Sequence, residues 1–163
     1  MNRLLDDVLD RAGDELTGAI SDSVLQTVAA MFGRKIYAAG AVNRKAEAPP
    51  FAVSVLLMQE KSAARLRMVF DRQLLEPLVA DVYSAEDLRN DAVLKDAASE
   101  IANVVGNRIK AFVNGKGFAV TMGFPEAEDP GKPVKDGAGV VSLDFSLNEN
   151  APRDKDILRV VIA

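Results

Sequence analysis

An acid and an amide, Glu100 and Asn103, lie three residues apart in a segment with helical periodicity. Side chains at this spacing are neighbours on one side of an α-helix. A carboxamide is short and can donate and accept hydrogen bonds at once, so it can hold a water molecule in line with a phosphorus atom. A carboxylate one turn back can pair with a lysine or orient the same site. The two residues therefore indicate a candidate site for positioning chemistry.

The helix that would carry this pair is predicted over residues 91–114, with Asn90 as its N-cap and Gly115 just past its end. At about 100° per residue, one arc of about 80° is apolar and is expected to face the core. It holds Leu94, Ala98, Ile101, Val105, Ile109 and Phe112. The opposite arc, also about 80° wide, is entirely polar. It holds Asp96, Glu100, Asn103, Asn107, Lys110 and Asn114.

Asparagine is an unusual choice for the middle of a solvated helix, because it costs about 0.5 kcal/mol relative to the best helix formers. Asn103 and Asn107 therefore need another reason to be there. One such reason is the chemistry described above. The alternative is a solvated polar face with cap-like or inter-helix hydrogen bonds. Spacing alone leaves both interpretations open.

The composition limits the possible functions. The 163 residues are 48% hydrophobic and 27% charged with a net charge of -4, which fits one globular domain over residues 1–163 and argues against nucleic-acid binding. No cysteine or histidine occurs, which excludes thiol nucleophiles, histidine relays and the usual zinc ligand sets. The acidic residues Asp6, Asp7 and Asp10 lie where a signal peptide would be apolar, and no apolar run approaches the roughly 20 residues of a membrane span. We expect a cytoplasmic protein without membrane contact.

The predicted elements follow the order helix, three strands, two helices, three strands. The helices cover roughly residues 1–33, with Gly33 as a stop, then 71–83 and 91–114. The predicted strands are Ile36–Val42, Phe51–Gln59, Ala63–Phe70, Phe118–Phe124, Gly139–Leu147 and Ile157–Ile162. This order indicates an α+β layered domain with long helices packed on antiparallel strand meanders. It also indicates a loose internal duplication, in which a long helix followed by a three-stranded meander occurs twice.

Charged residues outside the helix are predicted to be solvated. Residues 125–137 are predicted to form an exposed loop, in which the acids Glu126, Glu128 and Asp129 would face water. Arg65 and Arg67 alternate with apolar residues, as expected for a strand with one wet face.

The segment DAASEIANVVGN, residues 96–107, resembles the signature helix of the CheC/CheX/FliY phosphatases. Their motif is Asp or Ser, three residues, Glu, two residues and Asn, often followed by a Gly-Asn pair. The matching residues are Asp96, Glu100, Asn103, Gly106 and Asn107. The order of helices and strands resembles the family over nearly the whole chain.

With one motif helix, the chain resembles CheX more than CheC, which has two. In the first helix, the counterpart of the motif would begin at Asp22, and Gln26 and Ala29 would replace the acid and the amide. The resemblance therefore implies one working site per chain. That the similarity of Asp22 to Asp96 is accidental stays an open alternative.

The resemblance implies a phosphatase that hydrolyses the aspartyl phosphate of a CheY-like response regulator, with the phosphorylated receiver domain as partner. Asn103 would orient the attacking water, and Glu100 would pair with a lysine of the regulator. No cofactor of its own is implied, since the regulator would hold the Mg²⁺. Further partner contacts are expected from Asp96, Ser99, Asn107 and Lys110.

Two other functions stay open on the sequence. A non-catalytic module of the same fold would bind a response regulator or a flagellar switch component. A small-ligand sensor would need a concave pocket, to which nothing in the sequence points. CheX-like proteins often form homodimers, and we expect one here because the final strand, Ile157–Ile162, reaches the last residue with little shielding.

Overall fold

The chain forms a layer of helices on one antiparallel sheet, as predicted; the computed structural model describes residues 3–40, 42, 43, 49–129, 131, 140–149 and 155–163. The helices are α1 (Arg3–Ala12), α2 (Asp14–Phe32), α3 (Arg72–Val79) and α4 (Asp91–Gly115), with a short 3₁₀ turn at Asp87–Arg89. The strands are β1 (Tyr37–Ala39), β2 (Phe51–Gln59), β3 (Ser62–Phe70), β4 (Thr121–Met122), β5 (Glu126–Glu128), β6 (Val141–Ser146) and β7 (Ile157–Ile162).

The described strands form a seven-stranded sheet in the order β1-β6-β7-β3-β2-β4, with β5 also paired to β2. Each half of the chain contributes one hairpin, β2–β3 or β6–β7, and the two hairpins meet at the β3–β7 pair. The strands before each hairpin pair with the other half of the chain, β1 with β6, and β4 and β5 with β2. The sheet thus agrees with the predicted duplication, but each half forms a two-stranded hairpin in place of a three-stranded meander. The first strand of each predicted meander pairs instead with the hairpin of the other half.

Several predicted bounds need correction. The strands β2 and β7 have the predicted ends, whereas β1 and β4 are only three and two residues long. The first predicted helix is two helices, because Gly13 adopts φ 51° and breaks the rod, and Gly33 ends α2 as predicted. The second predicted helix, 71–83, ends at Val79. Gly139 and residues 130 and 132–137 of the predicted loop lie outside the described residues.

The final strand β7 is central, between β6 and β3, so the expectation that it forms an open edge is wrong. The described sheet ends at β1 on one side and at β4 and β5 on the other. A homodimer stays a prediction, and strand pairing between copies would have to use one of these edges. Within the described residues, no helix combines the length and apolarity needed to cross a membrane.

The apolar face of α4 packs on the sheet at a very short distance. A Cβ atom built on Gly106 would lie 2.7 Å from Met122 Sδ and 3.1 Å from Val55 Cγ2. Real Cβ atoms do not approach so closely, so a side chain here would displace the Met122 sulfur and press on Val55. The glycine of the motif therefore permits the close approach of α4 to β2 and β4.

The outer face of the sheet carries a buried ion-pair network that the sequence did not reveal. The Glu128 carboxylate accepts hydrogen bonds from Arg67 Nε at 2.7 Å and Arg65 Nη1 at 3.0 Å. Only 8% of the Glu128 side chain and 9% of the Arg67 side chain are exposed, so the predictions that Glu128 is solvated and that Arg67 lies on a wet face are wrong. The reason is that β5 adds to the sheet edge and brings Glu128 over the arginines.

Burial raises the pKa of Glu128, but hydrogen bonds from Ser54 and Arg67, with the charges of Arg67 and Arg65, outweigh it, so the net shift is downward from 4.5. A carboxyl group with a lowered pKa stabilises the fold above its unfolded pKa. That contribution is lost as the pH falls from about 4.5 through the lower folded value.

Gly106→Ala is expected to lower the free energy of unfolding by about 1 kcal/mol. Overpacking costs about 1–3 kcal/mol and helix propensity returns roughly 1 kcal/mol, which leaves a net loss of up to about 2 kcal/mol. Gly18→Ala in α2 is the matched control: nothing lies within 4 Å of its Cβ position, so it should add about 0.5–1 kcal/mol. Urea unfolding measures both variants, and equal stabilisation by the two substitutions would show that α4 does not need this close approach.

Glu128→Gln is expected to lower the free energy of unfolding by about 3 kcal/mol at pH 7, because it leaves a buried arginine charge without its partner. The difference between wild type and variant should shrink as the pH falls below about 4.5, where the wild-type carboxylate becomes protonated. Urea unfolding at pH 7 and at lower pH tests this, and a difference that does not change with pH would contradict it.

Candidate functional site

The candidate site lies on α4, a rigid rod of 25 residues whose start is well defined. Asn90 caps it, since its Oδ1 accepts a hydrogen bond from the Ala92 N–H at 3.0 Å. Arg72 of α3 forms an ion pair with Asp91 in the first turn. The predicted apolar arc faces the core: Leu94, Ala98, Ile101, Val105 and Ile109 are each 0% exposed, and Phe112 is half-buried. The polar arc therefore faces away from the sheet.

Glu100 and Asn103 lie together on this outward face. Glu100 is exposed and Asn103 is half-buried. Within the described part of the chain, neither side chain has a hydrogen-bond or ion-pair partner. Neighbouring positions at this spacing place the carboxylate and the carboxamide about 5–6 Å apart at Cβ. The geometric requirement for the predicted pair is therefore met.

The other predicted contact residues extend the same surface. Asp96 and Asn107 are exposed, and Ser99 and Lys110 are half-buried. The Asn107 amide donates to the Asn103 backbone carbonyl one turn back, at 3.0 Å. This is a local bond that leaves the Asn107 side-chain oxygen free to accept. α4 therefore brings all six predicted site residues to one stripe, and their roles stay predictions.

The asparagine at the end of the stripe has a structural role. The Asn114 carboxamide accepts from the Val120 N–H at 2.7 Å and donates to the Val120 carbonyl at 3.1 Å. The Asn114 side chain therefore takes the place of a backbone partner for Val120 and holds the link between α4 and β4. Of the three asparagines on the stripe, Asn114 is explained by the fold and Asn107 partly so, whereas Asn103 has no structural partner among the described residues.

The segment that leads to Glu100 is acidic in sequence. Residues 81–100 contain six acids and two bases, of which Asp81 and Asp91 pair with Arg34 and Arg72 outside the segment. Burial raises the pKa of the Tyr83 phenol, and the negative charges of Glu100, Asp96 and Asp87 raise it further. Tyr83 therefore lies close enough to the site to sense its charge. Tyr83 is not among the site residues predicted from the sequence.

The second long helix has no equivalent pair. Asp22, Gln26 and Ala29 are all exposed on α2, as the predicted duplication requires. However, the Gln26 amide oxygen accepts a hydrogen bond from Arg108 of α4 at 3.0 Å. The position that corresponds to Glu100 is thus neutral and already bonded to the neighbouring helix. This arrangement agrees with one site per chain.

A bulge separates β4 from β5 beside α4. Leu57 of β2 pairs with Met122, and Ser54 pairs with Glu126, so two residues of β2 face three residues of the other strand. The extra residue lies in the segment 123–125, and Phe124 within it is 91% exposed. The prediction that Phe124 ends a strand is therefore wrong. Its position between Gly123 and Pro125 was the available signal, since both residues interrupt strands.

A concavity of the described structure lies away from this stripe. An open depression of about 810 Å³ is lined by residues that include Tyr37, Gln73 and Leu147, and none of the polar stripe residues of α4 takes part. Its openness does not match the enclosed pocket that a small-ligand sensor would use. Among the described residues, no group of three or more Asp and Glu side chains is arranged to hold a metal ion.

No protein-family model matches the sequence, and no curated protein matches it. Solved structures do match. CheX from Vibrio vulnificus superposes with a TM-score of 0.68 at 15% identity, covering 91% of this chain and 98% of that one. The chain has the CheX fold.

Two further matches agree with this fold. A chain of the CheX–CheY–BeF₃–Mg²⁺ complex from Borrelia burgdorferi gives a TM-score of 0.63 at 17% identity, over 90% of this chain and 96% of that one. FliY from Thermotoga maritima gives 0.54 at 18% identity, over 95% and 89%. The predicted α+β class and its CheC/CheX-like architecture are therefore confirmed.

Two identical substitutions on α4 separate a structural asparagine from a functional one. Asn114→Ala is expected to lower the free energy of unfolding by about 1–3 kcal/mol, because it leaves two backbone groups without partners. Asn103→Ala should change it by less than about 0.5 kcal/mol, since Ala is the better helix former and no bond is lost. Urea unfolding compares them, and a similar loss in both variants would give Asn103 a structural role.

Proposed function

We propose that this protein is a phosphatase that hydrolyses the aspartyl phosphate of a CheY-like response regulator, with Asn103 and Glu100 as the working residues. One observation carries the proposal. An acid and a carboxamide at the family spacing lie on the outward face of a rigid helix, and neither has a partner within the described chain. The CheX fold and the co-crystallised CheX–CheY pair of a structural neighbour support the choice of partner.

The proposed reaction needs positioning more than reactive side chains. The Asn103 Oδ1 accepts a hydrogen bond from a water molecule and directs its oxygen at the phosphorus atom. The water oxygen forms a bond to phosphorus as the bond to the aspartyl oxygen breaks, which releases inorganic phosphate and the free carboxylate. Stabilisation of the phosphoryl oxygens comes from the Mg²⁺ and the cationic groups of the regulator. This agrees with a chain that contains neither cysteine nor histidine.

Glu100 has the complementary task of docking. An exposed carboxylate without a local partner can accept a charge-assisted hydrogen bond from a lysine of the regulator. Its acidic surroundings add long-range attraction for a cationic surface, which raises the rate of encounter. For this proposed function the protein needs no cofactor of its own, and it acts in the cytoplasm, where response regulators are phosphorylated.

Asn103→Ala is expected to lower turnover of the phosphorylated receiver domain by about 100-fold or more, because the attacking water loses its orientation. Binding should be largely kept, within about 3-fold. Phosphate release from a panel of phosphorylated receiver domains identifies the substrate, and binding of the same domain with beryllofluoride measures docking separately. Asn43→Ala is the matched control, since Asn43 is exposed beyond β1 at the other side of the sheet.

The same measurements separate the proposal from its alternative. Normal turnover by Asn103→Ala would end the assignment of this residue. Binding of a receiver domain by the wild-type protein without any phosphate release would instead favour a non-catalytic binding or assembly module of the same fold.

A further inference from the structure

Two large apolar side chains are exposed among the described residues, Phe124 at 91% and Val82 at 56%. Isolated apolar residues on a surface are common and need no explanation by themselves. Their location is the informative feature, because each lies in a segment that contacts one flank of α4.

Phe124 lies on the flank nearer Asn103. Met122, two residues before it, has its sulfur against Gly106 of α4, and β4 and β5 both lie beside this helix. At about 100° per residue, Asn103 is rotated from Gly106 by about 60° towards solvent and Glu100 by about 120°. Of the proposed pair Glu100 and Asn103, Asn103 therefore lies nearer the bulge. Bulges often turn a side chain towards a functional site, and this one projects an aromatic ring into solvent.

Val82 lies in the segment between α3 and the 3₁₀ turn, and both of these elements contact α4. The next residue, Tyr83, packs against the core, and the charges of Glu100 and Asp96 act on its phenol. Two segments that contact α4 thus each carry an exposed apolar side chain. Interfaces of proteins commonly combine such apolar anchors with a charged surround.

A protein interface is wide enough for one partner to contact both Phe124 and Val82. A standard interface covers about 800 Å² on each protein, equivalent to a disc of roughly 16 Å radius. Gly106 is about 4.5 Å along the helix from Asn103, and Phe124 is at most about 7 Å along the chain from Met122, which touches Gly106. A receiver domain that places its phosphorylated aspartate at Asn103 therefore covers the bulge as well.

We propose that Phe124 and Val82 are the apolar anchors of the surface that docks the receiver domain, with Phe124 as the dominant one. This inference rests on the proposed function and deepens it. A second copy of this chain is a poorer occupant, because a symmetric contact would bring the exposed acids Glu100 and Asp96 of the two copies against each other. The receiver domain is the occupant that the CheX–CheY complex of a structural neighbour supports, and a lysine of the receiver would complement Glu100.

The test uses the receiver domain selected by the phosphate-release panel. Phe124→Ala is expected to weaken binding of its beryllofluoride form at least 10-fold and to raise KM for the phosphorylated form similarly, with kcat within about 2-fold. Val82→Ala should weaken binding about 3-fold, and Phe124→Tyr should bind within about 3-fold of wild type. The melting temperature of Phe124→Ala should match that of wild type, since its ring is almost fully exposed. Lys61→Ala, at the exposed β2–β3 turn, is a control outside the surface.

The outcomes distinguish this inference from the function on which it rests. If wild type binds and dephosphorylates a receiver domain but Phe124→Ala has an unchanged KM and affinity, the docking inference is wrong and the phosphatase stands. If Phe124→Ala lowers kcat at an unchanged KM, the side chain is not a docking anchor. If wild type neither binds nor dephosphorylates any receiver domain, both proposals are overturned. Sedimentation that shows a dimer lost in Phe124→Ala would assign the surface to a second copy instead.

Discussion

The packing of α4 on the sheet, with its close approach at Gly106, sets which face of that helix points outwards. A Cβ on Gly106 would have to displace the Met122 side chain and press on Val55, so a rotation or rise of the helix costs packing. Five of the six residues of its apolar arc are fully buried and Phe112 is half-buried, so the opposite arc faces solvent. Helix packing thus sets the backbone positions of Glu100 and Asn103, and neither side chain is bonded to another described residue. This leaves the carboxylate and the carboxamide free for a partner on a helix that is held in place.

The exchanged strands connect this helix to the rest of the molecule. β4, which contributes Met122 beneath Gly106, pairs with the β2–β3 hairpin of the first half of the chain. Asn114 holds the short link between α4 and β4 through the Val120 backbone. The motif helix therefore packs on strands from both halves, and the bulge at 123–125 follows directly from that junction. A site on α4 and an exposed aromatic ring beside it share one structural origin.

The features that could be predicted from the sequence are those set by local periodicity. The stripe of α4 follows from the 3.6-residue repeat, and the ends of β2 and β7 follow from long β-branched, apolar runs. Strand partners were not predictable, because alternation shows which face is buried and not which strand lies beside it. Glu128 was missed for a related reason: its burial depends on β5 joining the sheet edge next to Arg67, a contact between residues 61 positions apart. Phe124 was assigned to a strand because its apolar character fits one, although its neighbours glycine and proline do not.

The central claim is that the outward face of α4 meets the phosphorylated aspartate of a response regulator. A structure of the protein bound to its beryllofluoride- and Mg²⁺-loaded receiver domain tests it most directly. The account predicts that the Asn103 carboxamide lies within hydrogen-bond distance of a water molecule in line with the beryllium, and that Glu100 contacts a lysine of the receiver. A complex in which the receiver docks elsewhere, with Glu100 and Asn103 still facing solvent, would contradict it.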